Sequence, residues 1–260
     1  MNIEQARVEI RQRSLLEVVD LAFRYVVDLG GRLYLKLWLV YCLPWVVALY
    51  ACARLLELSW WWLWLIAVCV GQAVQAVFTV AAGRLMFQRT TSVREVTSQL
   101  GSRLGALLGA LLLSRVLLLL SSLVLIITPF VWARFAFLPE AVLLEGASST
   151  KSLGRAGRIV QHDLGFTLGL GLWLTVLTAC VMVASEVLGQ ALVRDVLQLG
   201  EPLGSYRDGG SVFLLLGYTA SWVMSGTLRF LAYINVRTRW DGWDVQVRFM
   251  ALRAQLKEAR

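Results

Sequence analysis

Histidine occurs once, at His162, so no multi-histidine metal site can assemble, and a Ser-His-Asp triad would have to use that one ring. A phosphate loop of the G-x-x-x-x-G-K-[ST] type is missing. Cysteine is scarce, and Cys42, Cys52, Cys69 and Cys180 all lie inside apolar runs, where a thiol behaves as a small hydrophobe. That placement argues against both a disulfide framework and a metal knuckle. Charge is also thin, at 16% of residues against 58% hydrophobic, which is outside the range of soluble domains. The polar opening MNIEQARVEIRQRS lacks a small-residue cleavage site, so no cleaved signal peptide is expected and the N-terminus should be retained. These absences point to a non-enzymatic chain without a cofactor.

What the chain does hold is apolar runs long enough for a bilayer, alternating with short basic segments. The stretch 134–170 contains the whole unit. On a helix, Lys151, Arg155, Arg158 and His162 share one stripe, with Leu153, Ala156, Gly157 and Val160 opposite. This pattern predicts a helix lying on the membrane surface, apolar face in the acyl boundary and cations toward headgroups.

Two capping boxes, Ser14 with Glu17 and Ser92 with Glu95, announce two more such helices. The first carries Glu17, Asp20, Arg24 and Asp28 on one edge, and Gly30–Gly31 is read as a change of direction after it. Spans are expected at about 33–53, 60–82, 104–127, 130–144, 164–188 and 211–234. Trp60, Trp61, Trp62 and Trp64 stand where an interfacial belt belongs. The fold class is therefore all-α: a single integral membrane domain of six transmembrane helices in three hairpins, each preceded by an amphipathic surface helix. The units fall at about 14–82, 92–145 and 149–236, with a basic tail at 237–260. A short helix is also expected around Val193, Val196 and Leu197 in the connection 189–210, and the alternation at 245–249 leaves helix and strand open for the tail.

Charge supports the even count. Arg7, Arg11, Arg13, Arg24 and Arg32 precede the first span, and Arg84, Arg89, Arg94 and Arg103 follow the second. Lys151, Arg155 and Arg158 follow the fourth, while Arg237, Arg239, Arg248, Arg253, Lys257 and Arg260 follow the sixth. Only Arg54, Arg194 and Arg207 fall on the other side, so the positive-inside rule puts both termini and all three surface helices in the cytoplasm. Topology thus accounts for the net charge of +8, and no nucleic-acid partner is expected.

Candidate sites follow from polar residues in apolar places. Arg115 lies within the third span, where an arginine costs about 2.5–3.5 kcal/mol on insertion scales. It is either an anion or headgroup site, or a structural arginine that snorkels or pairs with a carboxylate such as Glu140. Glu186 and Arg134, near span ends, are read as solvated or mutually paired, with an ion site as the rival. Gln72 and Gln75 read as interhelical hydrogen-bond donors. Gly101, Gly105 and Gly109 form one small-xxx-small ladder, and Gly165 and Gly169 a second, for packing within the chain or against another copy. Headgroup-binding candidates are Lys151, Arg155, Arg158, Arg94, Arg237 and Arg239. For the stripe of Lys151, Arg155 and Arg158, the rival to anionic lipid is the acidic edge of Glu17, Asp20 and Asp28.

Three stretches carry a resemblance. They are Ser14-Leu-Leu-Glu-Val-Val-Asp-Leu-Ala-Phe, Leu143-Leu-Glu-Gly with Ser152-Leu-Gly-Arg-Ala-Gly-Arg-Ile-Val, and Tyr233-Ile-Asn-Val-Arg-Thr-Arg-Trp-Asp-Gly-Trp-Asp. Together they resemble a bacterial membrane-domain family that also occurs fused to some glycerophosphodiester phosphodiesterases. The chain departs from that pattern at Ala156, Asn235 and Asp241. The resemblance implies a multi-span protein of the bacterial inner membrane with no catalysis of its own. The expected function is a scaffold that engages anionic lipids and protein partners or a second copy. Its alternative is a transport or lipid-handling component built on Arg115.

Overall fold

A computed structural model describes residues 11–88, 90–199, 203–206 and 209–240. Arg7, Arg89, Glu201, Pro202, Arg207, Asp208 and the tail from 241 onward, including the alternation at 245–249 and Asp241 and Asp244 of the third family-like stretch, lie outside the described residues.

Helix starts coincide with caps. The Ser14 hydroxyl accepts from the Glu17 amide while the Glu17 carboxylate accepts from the Ser14 amide, and α1 (Leu15–Arg24) begins there. Helical backbone then continues through wide turns at Tyr25–Gly30 and Trp38–Cys42, joining α2 (Gly31–Leu37) and α3 (Leu43–Leu55) into one run. After a short turn, α4 spans Trp60–Phe87. The Ser92 and Glu95 box opens α5 (Val93–Ser122). The short α6 (Thr128–Phe135) and α7 (Leu138–Leu143) follow, then α8 (Ser149–Gln161) and α9 (Leu164–Gln190), whose N-cap Asp163 accepts from the Phe166 amide. A wide helical turn continues α9 over Ala191–Val196, in the region of the short helix expected around Val193. A two-residue antiparallel ladder, β1 (Gly204–Ser205) with β2 (Gly210–Ser211), leads into α10 (Val212–Trp240).

The chain is all-α apart from that ladder, and four helical runs are long and apolar enough to cross a membrane: Leu15–Leu55, Trp60–Phe87, Val93–Ser121 and Leu164–Val196. Their outward faces suit hydrocarbon rather than water. Leu112, Leu119, Leu120, Leu172 and Val183 are exposed, far beyond the isolated apolar residues normal on a soluble surface.

At the centre is α10, packed against α9, α4, α1 and α3. It carries more buried polar side chains than any other helix among the described residues. Thr219, Ser221, Thr227 and Thr238 donate to carbonyls of their own helix, and the Thr227 hydroxyl also meets Tyr34 Oη at 3.0 Å. Close approach is allowed by two glycines. A Cβ on Gly217 would come within 2.8 Å of the Met182 backbone in α9, and one on Gly226 within 2.8 Å of Phe78 in α4.

Three expectations are corrected. The first surface helix and first span are one helical run without the break expected at Gly30–Gly31. Gly30 is small because the Tyr34 ring lies over it, where a Cβ would clash at 2.2 Å. The second surface helix is likewise continuous with its span in α5, since Ser92 marks a start and neither a proline nor a second cap marks a stop. Only α8 is a separate helix ahead of its long partner, and its face of Ser152, Ala156, Gly157, Ile159 and Val160 is buried against protein rather than free to enter lipid. It packs on α5, α6, α7, α9 and α10.

Gly217→Leu should force α9 and α10 apart and lower stability by about 1–3 kcal/mol, the usual overpacking cost. Gly101→Leu, facing open space, should leave the thermal unfolding midpoint in detergent nearly unchanged.

Candidate functional site

Halfway along the long helices lies a cavity of about 500 Å³. Val68, Gln72 and Gln75 of α4 and Tyr218, Trp222, Ser225 and Arg229 of α10 line it on one side. Arg115 of α5 and Gly171, Thr175, Thr178 and Met182 of α9 form its flanks, with Trp132 of α6 between them. α6 packs on both α5 and α9 and so bridges these flanks. The lining combines apolar surface with amide, hydroxyl and guanidinium groups, the mixture found in small-molecule sites of this size.

Arg115 and Glu140 do not pair. Glu140 is fully buried, and its Oε2 accepts from Arg229 Nη2 at 3.0 Å, while the same nitrogen donates to the Ala136 carbonyl at 2.7 Å. That carbonyl lies in the break between α6 and α7, ahead of Pro139. Arg115 makes a single hydrogen bond, from Nη2 to the Val68 carbonyl at 3.2 Å, and its buried Nε finds no partner among the described residues. The cavity wall thus carries two guanidinium groups and, through Arg229, one carboxylate. The signal for Arg229, a lone cation in an apolar run, is the same one that singles out Arg115, yet the sequence reading passes over it.

Elsewhere the proposed headgroup cations divide into two groups. Arg155 donates from Nε and Nη2 to Glu145 at 2.9 and 3.3 Å, Arg237 lies 3.5 Å from the same carboxylate, and Arg239 holds Asp163 at 2.9 Å. Tyr233 adds a hydrogen bond to Glu145 at 2.6 Å. The Glu145 contacts fasten the end of α7 to α8 and α10, and the Asp163 contact fastens α10 to the start of α9. Lys151, Arg158 and Arg94 are exposed and have no ion pair among the described residues. The acidic edge of α1 does not meet this stripe: Asp20 holds Arg24 at 3.0 Å and Glu17 lies 3.5 Å from Arg11.

Of the glycine ladders, Gly101, Gly105 and Gly165 face open space, while Gly109 abuts Ser149 and Gly169 abuts Leu15. Glu186 is buried and does not pair with Arg134. It accepts from Gln190, from the Tyr206 amide and from the Ser211 hydroxyl, so it fastens the β1–β2 ladder to α9. Arg134 is exposed and lies over Gly157 of α8.

The chain matches no protein-family model, no curated protein and no solved structure. Its class rests on its own geometry: a helical protein with four helices long and apolar enough to cross a membrane, and a polar, arginine-lined cavity among α4, α5, α6, α9 and α10.

Burial pushes the Glu145 carboxyl up, but hydrogen bonds from Arg155 and Tyr233 and the charge of Arg237 outweigh it and hold the group below its ordinary value of 4.5. A depressed carboxylate stabilises the fold at pH above its unfolded value, and that stability is lost as pH falls through the folded value. The thermal midpoint should therefore be flat from neutral pH down to the ordinary carboxylate range and fall on further acidification. Glu145→Gln should remove part of that acid slope and lower stability at neutral pH by about 1–3 kcal/mol.

Proposed function

We propose that this chain is a non-enzymatic lipid-handling protein whose Arg115 cavity receives the phosphate of an anionic amphiphile. The observation that carries the reading is Arg115 itself. A guanidinium set in an apolar helix without a carboxylate partner is a poor structural device, because an uncompensated charge away from water is costly. An incoming phosphate would compensate it, and the amides of Gln72 and Gln75 and the hydroxyl of Ser225 would complete the cradle. The apolar outer faces of the lining helices α5 and α9 favour lateral entry, with acyl chains left in the bilayer.

The same proposal includes six crossings. The four long apolar runs supply four, the pair α6–α7 together a fifth, and α10 a sixth. With an even number, the basic ends of α4, α8 and α10 and both termini lie in the cytoplasm, in the inner membrane of a bacterium, consistent with the resemblance to the phosphodiesterase-associated membrane domains. A second reading, a scaffold for partner proteins or a second copy, is favoured by Lys151 and Arg158, which α8 leaves exposed and unpaired once its apolar face is buried.

Native mass spectrometry of the full chain in mild detergent, titrated with phosphatidic acid, tests the cavity. Arg115→Met should weaken binding by about ten- to a hundredfold, the value of charge-assisted hydrogen bonds, without lowering the thermal midpoint of the lipid-free protein. Unchanged binding together with a lower midpoint would make Arg115 structural and refute the reading.

A further inference from the structure

A second cleft, of about 1000 Å³, lies at another part of the molecule, between α2 and the connection from α4 to α5. Arg32 and Lys36, one turn apart on α2, face it from one side, and Arg94 in the first turn of α5 faces it from the other. All three are exposed, and none makes a hydrogen bond or ion pair among the described residues. Asp28, the one carboxylate in the lining, forms no ion pair with them. By contrast, Arg84, Arg155, Arg237 and Arg239 each have a carboxylate within 3.5 Å. The cleft therefore gathers cations that the chain leaves uncompensated, from two segments far apart in sequence.

We infer that this cleft binds the phosphate-bearing headgroup of an anionic membrane lipid. The cations supply the charge, and the hydroxyl of Thr90 in the same wall supplies a neutral donor, that of Thr91 being given to Gln88 at 3.3 Å. The amino end of α5 is not the basis of the site, since Ser92 and Glu95 already cap it. Two observations select a lipid over free phosphate. The floor is apolar, with Leu29, Leu33 and Leu85, and the cleft is large for a lone inorganic ion. Directly beside the cations, Leu35, Leu39 and Val40 are 60%, 45% and 53% exposed, so the polar rim borders a surface made for acyl chains. This site uses none of the residues of the Arg115 cavity and stands or falls independently of it.

The test is a lipid titration of the purified full chain, in wild-type and Arg115→Met backgrounds, so that a loss at the cavity cannot mask the cleft. The probes are phosphatidylglycerol and phosphatidylcholine, read by native mass spectrometry, with inorganic phosphate as competitor. Lys36→Gln should weaken phosphatidylglycerol binding about fivefold and Lys36→Gln with Arg94→Gln about thirtyfold, at about 1 kcal/mol per cation. Phosphatidylcholine binding and the thermal midpoint should not move, Arg94→Lys should retain most of the affinity, and raised salt should weaken binding in the wild type. Unchanged phosphatidylglycerol affinity in the double variant overturns the inference. So does displacement of the lipid by millimolar inorganic phosphate, which would make the ligand a soluble anion.

Discussion

The ion pair between Glu140 and Arg229 is the contact on which the interior depends. Glu140 is fully buried and Arg229 nearly so, at the cavity wall, so each is tolerable only because the other is there. The pair also repairs a backbone fault. Pro139 cannot donate a helical hydrogen bond, the chain breaks between α6 and α7, and Arg229 reaches the Ala136 carbonyl within that break. A lipid-facing break would leave that carbonyl without a partner, so the break is turned inward, toward Arg229 of α10. Glu140, one residue further on, supplies the countercharge that makes the arginine's burial possible.

From this follows the inversion between the chain's hydropathy and its burial. In water the most apolar helices would take the centre. Here α5 and α9 show leucines and valines outward, while α10, with its threonines, serines, Arg229 and Asn235, is enclosed. Asn235 illustrates the gain: its side chain accepts from the Arg13 amide and donates to the Arg13 carbonyl, pinning the residues ahead of α1 to the end of the central helix. Polar groups thus act as fasteners between segments that van der Waals packing alone would leave free to slide.

What the sequence makes legible is set by how local each signal is. The two capping boxes are completed within four residues, and both form as read. Arg115 is conspicuous because its apolar neighbours surround it in sequence as well as in space. Its lack of a carboxylate is not legible, because Glu140 could serve either of two arginines and only the α6–α7 break selects Arg229. Gly30–Gly31 has the composition of a turn but is used for a ring contact with Tyr34, a tertiary fact invisible to local chemistry. The extents of the first two surface helices fail for a related reason: a cap fixes where a helix begins, and an apolar run following without interruption supplies nothing to end it.

α8 shows why amphipathicity alone cannot separate a helix lying on lipid from one lying on protein. Its buried stripe is narrow, with Ser152, Ala156 and Gly157 allowing a close approach to α5, α6 and α7 and Ile159 and Val160 filling the contact, which suits protein better than insertion among acyl chains. Once that face is used internally, the charged face divides according to reach. Arg155 turns to Glu145, on the side where α7 and α10 present carboxylate and phenol, while Lys151 and Arg158 point to solvent. A stripe that looks uniform on a helical wheel therefore contains both a fastener and free charge. Only the free part can respond to a membrane surface, and any headgroup affinity of this face must scale with those two residues rather than with the whole stripe.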